Sequence, residues 1–171
     1  MLIIHAVQKL LNTSKIQTGQ YITKPSEGQL LHSWYAGLFS STFTGKLMIM
    51  YVHESSMLTI VCRGKTVKAT WPQFTERLPA LLQRYHFAAA FMEAEMKEAN
   101  GYVVAKTSSR SMLGRMNQMR YQLEYDCSRF PTYESISLDL LEDRIMDFLY
   151  DLGKHKYTSP ERYWKEAGLM Q

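Results

Sequence analysis

Three apolar runs between Ser33 and Arg63 constrain the fold of this chain more than any other feature. SWYAGLFS, KLMIMYVH and SMLTIVCR are rich in aromatic and β-branched residues and short enough for strands. The aromatic content of Trp34, Tyr35 and Phe39, with Phe43 just beyond, favours a strand over a helix in the first run. Only Glu54 and Ser55 part the second run from the third, which reads as a tight hairpin without the usual Asn-Gly signal. The three runs predict an antiparallel meander with strands over 33–40, 46–53 and 56–63.

Helices predominate after the meander. Thr70-Trp71-Pro72 predicts a helix start, with Thr70 as cap and the proline in the first turn. Phe74, Leu78, Leu81, Leu82 and Tyr85 give its apolar face, and Pro79 predicts a kink or a second start. The Ala/Met/Glu-rich stretch 87–99 predicts a helix closed by Asn100-Gly101. Leu138, Leu141, Ile145, Phe148 and Leu149 predict one over 136–152, ended by Gly153, and Ser159-Pro160-Glu161 opens a last one. Leu2–Ala6 and Tyr102–Lys106 read as short buried strands, Val7–Leu11 as a helical turn, and the polar segment 12–28 as a long loop. The expected fold is α+β: a mainly antiparallel sheet (N-terminal strand, three-stranded meander, one later strand) with several helices packed on one face. At 171 residues a single domain is expected.

Residues 104–123, VAKTSSRSMLGRMNQMRYQL, hold the most unusual choices. Thr107, Ser108 and Ser109 favour a turn and an N-cap, because their hydroxyls accept bonds from free backbone N–H groups. A helix follows from Arg110, with Met112, Met116, Met119, Leu123 and Cys127 on an apolar stripe. Arg110, Gly114, Asn117 and Tyr121 share a second face. Glycine in a helix interior costs about 1 kcal/mol against alanine. Close approach by a ligand or another backbone is the usual reason for it. Lys106, Arg110, Arg115 and Arg120 are not offset by any acidic residue from 106 to 123. Hydroxyls and cations at a helix N-terminus make a plausible anion site, since free N–H groups and the helix dipole favour negative charge. The competing reading is structural: Ser108 or Ser109 as a cap, the arginines as a solvated face.

Three segments together resemble a known family. His5–Leu11 (HAVQKLL) is similar to a family opening C-T-x-K-L-L; Leu31–Leu38 (LHSWYAGL) to L-G-D-W-Y-A-N-L; and Lys106–Asn117 (KTSSRSMLGRMN) to T-x-N-R-S-x-L-G-x-M-N. The resemblance covers about residues 1–128 and points to small bacterial proteins grouped as a domain of unknown function, often found near mobile elements. It implies a family-like core over 1–131 with a helical extension over 132–171. Arg110, Ser111, Gly114, Asn117, Trp34 and Tyr35 match the pattern, while Ser33, Gly37 and Ser109 stand where it has Asp, Asn and Asn. It implies no assigned activity.

Charge and motif content narrow the function classes. The net charge of +4 is uneven: residues 1–70 hold seven Lys/Arg against two Glu, whereas 132–171 hold five against eight acidic residues. Two cysteines and five scattered histidines form no zinc spacing, and there is no phosphate-loop, dinucleotide or nucleophile-elbow motif, so no metal and no cofactor is expected. No apolar run reaches the roughly 18 residues of a membrane span. No signal peptide is read at MLIIHAVQKLL, and the two cysteines fit a reduced, cytoplasmic compartment. The preferred reading is a non-catalytic module that binds a nucleotide or nucleic acid through Lys106, Ser108, Ser109, Arg110, Ser111 and Asn117, with Trp34 or Tyr35 as a stacking surface. The alternatives are a protein-interaction component of a mobile-element or defence system, and a small nuclease or transferase using Arg110, Ser111, Asn117 and His5 or His32.

Overall fold

A computed structural model describes residues 1–16, 31–154 and 156–171. Its elements run β1 (Leu2–Ala6), α1 (Gln8–Ser14), β2 (Ser33–Ser40), β3 (Leu47–His53), β4 (Thr59–Arg63), α2 (Val67–Arg84), α3 (Ala89–Glu98), β5 (Tyr102–Lys106), α4 (Arg110–Cys127), α5 (Leu138–Met146), β6 (Tyr150–Asp151), β7 (Tyr157–Thr158) and α6 (Pro160–Glu166). The class is α+β. Strands β4-β3-β2-β1-β5 form one sheet, in which β2, β3 and β4 are the antiparallel meander. Strand β1 runs parallel to both of its neighbours, β2 and β5.

The helices cover both faces of the sheet rather than the single face expected. The cause is legible in β2, where Trp34 to Phe39 are buried without a break. A strand with only one covered face alternates apolar and polar residues; a continuous apolar run needs cover on both. Ile4, Trp34, Ala36, Ile49, Tyr51 and Ile60 point to one side, where α1, α2, α3 and Trp164 of α6 pack. Tyr35, Phe39, Met48, Met50, Val52 and Val61 point to the other, under α4, α5 and Tyr150. The C-terminal residues thus contribute to both cores.

Strand β4 is an edge, and side chains bond the groups it leaves free. Val61 N donates to Glu142 Oε1 at 3.0 Å. Gln73 accepts from Arg63 N at 2.9 Å and donates to Arg63 O at 2.8 Å. Glu142, 1% exposed, also accepts from Arg77 Nε and Nη2 at 3.0 and 2.8 Å, and from Arg84 Nη2 at 3.3 Å. This network joins α2, α5 and the sheet edge, and blocks further strand addition there.

Several boundaries differ from expectation. The β3–β4 connection is a four-residue loop rather than a two-residue turn: His53 N donates to Leu58 O, and Met57 takes a left-handed φ of 61°. Helix α2 starts at Val67, capped by Thr66, whose hydroxyl accepts from Ala69 N; Thr70, Pro72 and Pro79 lie inside one continuous helix. Helix α3 ends at Glu98 without the left-handed cap expected at Asn100-Gly101. The helix expected over 136–152 stops at Met146, and a short β6–β7 hairpin follows. Of the loop expected over 12–28, residues 12–14 belong to α1 and 17–28 lie outside the described residues.

Candidate functional site

The register of the parallel strands fixes the site. Ala6, the last residue of β1, pairs with Lys106, the last residue of β5. From Ala6 the chain enters α1, whose Leu10 and Leu11 pack on the α2 side of the sheet. From Lys106 it passes through Thr107–Ser109 into α4, whose Met112 and Met116 pack on the opposite side. Two adjacent parallel strands therefore send their helices to opposite faces. A crevice opens outside the carboxyl ends of strands where this happens, and open α/β sheets bind ligands there.

Five of the expected residues meet at this edge. Ser109 caps α4, its Oγ accepting from Met112 N at 3.2 Å, and lies 3.1 Å from Ser111 Oγ. Lys106, Ser108, Arg110 and Ser111 are exposed. Neither Lys106 nor Arg110 makes an ion pair among the described residues, and the first turn of α4 carries no acidic side chain. Cations without carboxylate partners thus flank the free N–H groups of an 18-residue helix. Asn117 is also exposed, on the face of α4 that carries Arg110.

His5 joins the group and His32 does not. His5 Nδ1 lies 3.1 Å from Lys106 O, and its ring stacks on Tyr35 with centroids 4.8 Å apart. A carbonyl oxygen only accepts, so Nδ1 carries the proton in this bond and Nε2 is left for a second partner. His32 precedes Ser33, which pairs with Ile3 at the amino end of β1. The sequence has no signal for the His5–Lys106 link, because it depends on strand register.

Trp34 and Tyr35 are core residues on opposite faces of the sheet, 0% and 1% exposed. Trp34 Nε1 donates to Leu31 O at 2.7 Å, and its ring meets Phe74 edge-on. Neither ring is open to a base, so the stacking role expected for them has no surface in this fold. At Gly114 a Cβ meets nothing within 4 Å, so no backbone among the described residues makes the close approach that was one of the two reasons expected for this glycine. The exposed rings are elsewhere on α4, at Tyr121 and Tyr125.

A second cleft, of about 200 Å³, lies between the end of α4 and α5, lined by Asp126, Arg129, Phe130, Leu140, Leu141 and Arg144. Asp126 is 2% exposed; Gln122 donates to its Oδ2 at 3.0 Å, and Arg144 Nε stands 3.6 Å from Oδ1. Arg144 pairs with the buried carboxylate of this cleft, whereas Lys106 and Arg110 at the β1/β5 edge have no ion pair among the described residues.

Other chemistry is sparse among the described residues. No group of three or more His, Cys, Asp or Glu is placed to hold a metal, and no helix is long and apolar enough to cross a membrane. Cys62 and Cys127 are free and buried, and burial pushes the Cys127 thiol up to about 11, so neither is an activated nucleophile.

Comparison with the curated proteins finds no match. A family model does match, over residues 3–163, and it extends past α5 into the last helix. The chain therefore belongs to that family, described as a domain of unknown function, DUF6933.

Proposed function

We propose that this chain is a non-catalytic module that binds a phosphate-bearing ligand, a nucleotide or nucleic acid, at the carboxyl edge of β1 and β5. One observation carries the reading: Lys106 and Arg110, both exposed and without ion-pair partners among the described residues, flank the N-terminus of α4 where neighbouring parallel strands send their helices to opposite faces. Arg110 takes two phosphate oxygens through its planar fork, and Lys106 adds a point charge. The backbone N–H groups of Arg110 and Ser111, which the Ser109 cap leaves open, donate to the remaining oxygens together with the Ser111 hydroxyl.

Calorimetric titration with nucleoside mono-, di- and triphosphates and with pyrophosphate, in low and moderate salt, tests this. Losing a hydrogen bond to a charged group costs about 1.5–3 kcal/mol, so Arg110→Ala weakens binding about tenfold or more. Lys106→Ala weakens it less, and added salt weakens the parent. Parent-like affinity in both variants refutes the site.

A further inference from the structure

We propose that the outward face of α4 is a track for single-stranded nucleic acid, with phosphates on Lys106 and Arg110 and bases stacked on Tyr121 and Tyr125. The inference rests on the phosphate reading above and extends it from one anion to a strand.

The inner stripe of α4 (Met112, Met116, Met119, Leu123 and Cys127) is buried against the sheet and α5, with Leu113 packed beside it. Arg110, Gly114, Asn117, Tyr121 and Tyr125 recur at intervals of three or four on the opposite side, and all are exposed. Tyr121 and Tyr125, 65% and 62% exposed, are the most exposed large apolar side chains among the described residues. They stand one turn apart, about 6 Å along the axis, and Tyr125 is about 22 Å from Arg110. That length seats several nucleotides.

Charge selects the occupant. No acidic residue occurs from 106 to 123. The next one, Glu124, is held away from the track: its Oε1 accepts from Ser40 N at 3.0 Å and pairs with Arg120 at 3.7 Å. Asp126 is buried. From residue 106 to the end of α4, a polyanion therefore meets cations and no free carboxylate of the helix itself. The rings select among polyanions. The Arg120 guanidinium lies 4.6 Å from the Tyr121 ring centroid, which occupies one face of that ring and leaves the other for a base. Gly114 leaves a notch between Arg110 and Tyr121, where nothing stands within 4 Å of a Cβ position. A sugar–phosphate segment in that notch touches the helix backbone. A duplex hides its base faces, and an acidic peptide leaves both rings unused.

Fluorescence anisotropy with labelled twelve-nucleotide oligo-dT and oligo-U, a duplex of equal length and a poly-glutamate competitor tests the proposal. The variants are Arg110→Ala, Lys106→Ala, the double variant Tyr121→Ala/Tyr125→Ala and its Tyr→Phe counterpart, each checked for fold by circular dichroism. The parent is expected to bind one or both single strands more tightly than the duplex. Double alanine substitution weakens this tenfold or more without changing the salt slope, and the phenylalanine pair restores it. Arg110→Ala weakens binding and lowers the salt slope by about one. Duplex binding as tight as strand binding, or equal displacement by poly-glutamate, overturns the proposal. If the double alanine variant binds strands like the parent while Arg110→Ala does not, the track falls and the phosphate site stands. If the tyrosine pair matters but Arg110→Ala and Lys106→Ala bind strands like the parent, the phosphate site falls and the track falls with it. A parent that binds nucleotides but no oligonucleotide overturns the track alone.

Discussion

Gly114→Ala separates what α4 needs for folding from what it presents to a partner. The position lies inside an 18-residue helix, is exposed, and has an ordinary helical φ; an added Cβ meets nothing within 4 Å. The substitution therefore adds no clash and removes the backbone entropy that glycine loses on folding, which is worth about 0.8–1 kcal/mol. Unfolding entropy of about 2.1 cal/mol/K per residue, taken over 171 residues, converts this into a rise in Tm of about 2–3 °C. Scanning calorimetry at neutral pH reads the shift directly. If the notch holds a strand, the same variant binds oligonucleotide more weakly while melting higher. A fall in Tm refutes the open surface described for Gly114. A higher Tm with parent-like strand binding removes the notch from the proposed track.

Three further outcomes follow from the packing. Gly64→Ala moves stability the opposite way, because φ there is +140° and a Cβ stands 2.8 Å from Thr70 Cγ2; a loss of about 1–3 kcal/mol is expected from urea denaturation, and a neutral result contradicts the strain. Arg77→Ala removes the bidentate partner of buried Glu142 and leaves it with Arg84 at 3.3 Å and Val61 N, which costs about 3–5 kcal/mol in the same assay; a loss under about 1 kcal/mol refutes the clasp. Burial raises the carboxyl of Glu95, against a bond from Leu31 N that lowers it, so the charged form is disfavoured in the fold and its cost grows as pH rises through the folded value. Glu95→Gln therefore melts higher than the parent at pH 8, and the difference shrinks as pH falls to the ordinary carboxyl value of 4.5 and below; a constant or widening difference toward acid refutes this.

Much of the fold was legible because local pattern and tertiary packing agree. The spacing of Met112, Met116, Met119, Leu123 and Cys127 marked the buried face of α4, and Ser109 is its cap. The three apolar runs of the meander pair in the expected order. The unbroken apolar run Trp34–Phe39 carries the double-sided cover of the sheet, although by local pattern alone it specifies only a strand. Misplaced boundaries arose where one residue type serves two purposes. Pro72 suits a first helical turn, yet the cap is Thr66, and the helix tolerates both prolines. Phe148 and Leu149 continue the helical spacing of α5, but the backbone leaves the helix at Asp147 and places Tyr150 in the core, leaving Leu149 exposed. Lys106, Ser109 and Arg110 stood out by composition. The strand edge that brings them beside His5 did not, because it depends on β1 and β5 being neighbours across a hundred residues.

The outward face of α4 is the part of the chain that folding does not explain. A helix needs one apolar face for its core; its solvent face adds stability only through intrinsic propensity and side-chain pairs. Gly114, Asn117, Tyr121 and Tyr125 are all weak choices by propensity: about 1 kcal/mol against alanine for glycine, and up to about 0.7 for each of the others. Together they withhold about 2–3 kcal/mol, a large share of the 5–15 kcal/mol by which domains are ordinarily stable. The packing offers little in return: the Gly114 Cβ position is empty, and the two tyrosines are more than half exposed. In α3, by contrast, Glu93, Lys97 and Glu98 share the exposed face with alanines, as stability prefers. Stability thus opposes the composition of this one face, and function at the expense of stability is the usual resolution when a fold keeps such residues. The same face carries Arg110 and begins at the edge where β1 and β5 end, so both proposed contacts lie on one continuous surface.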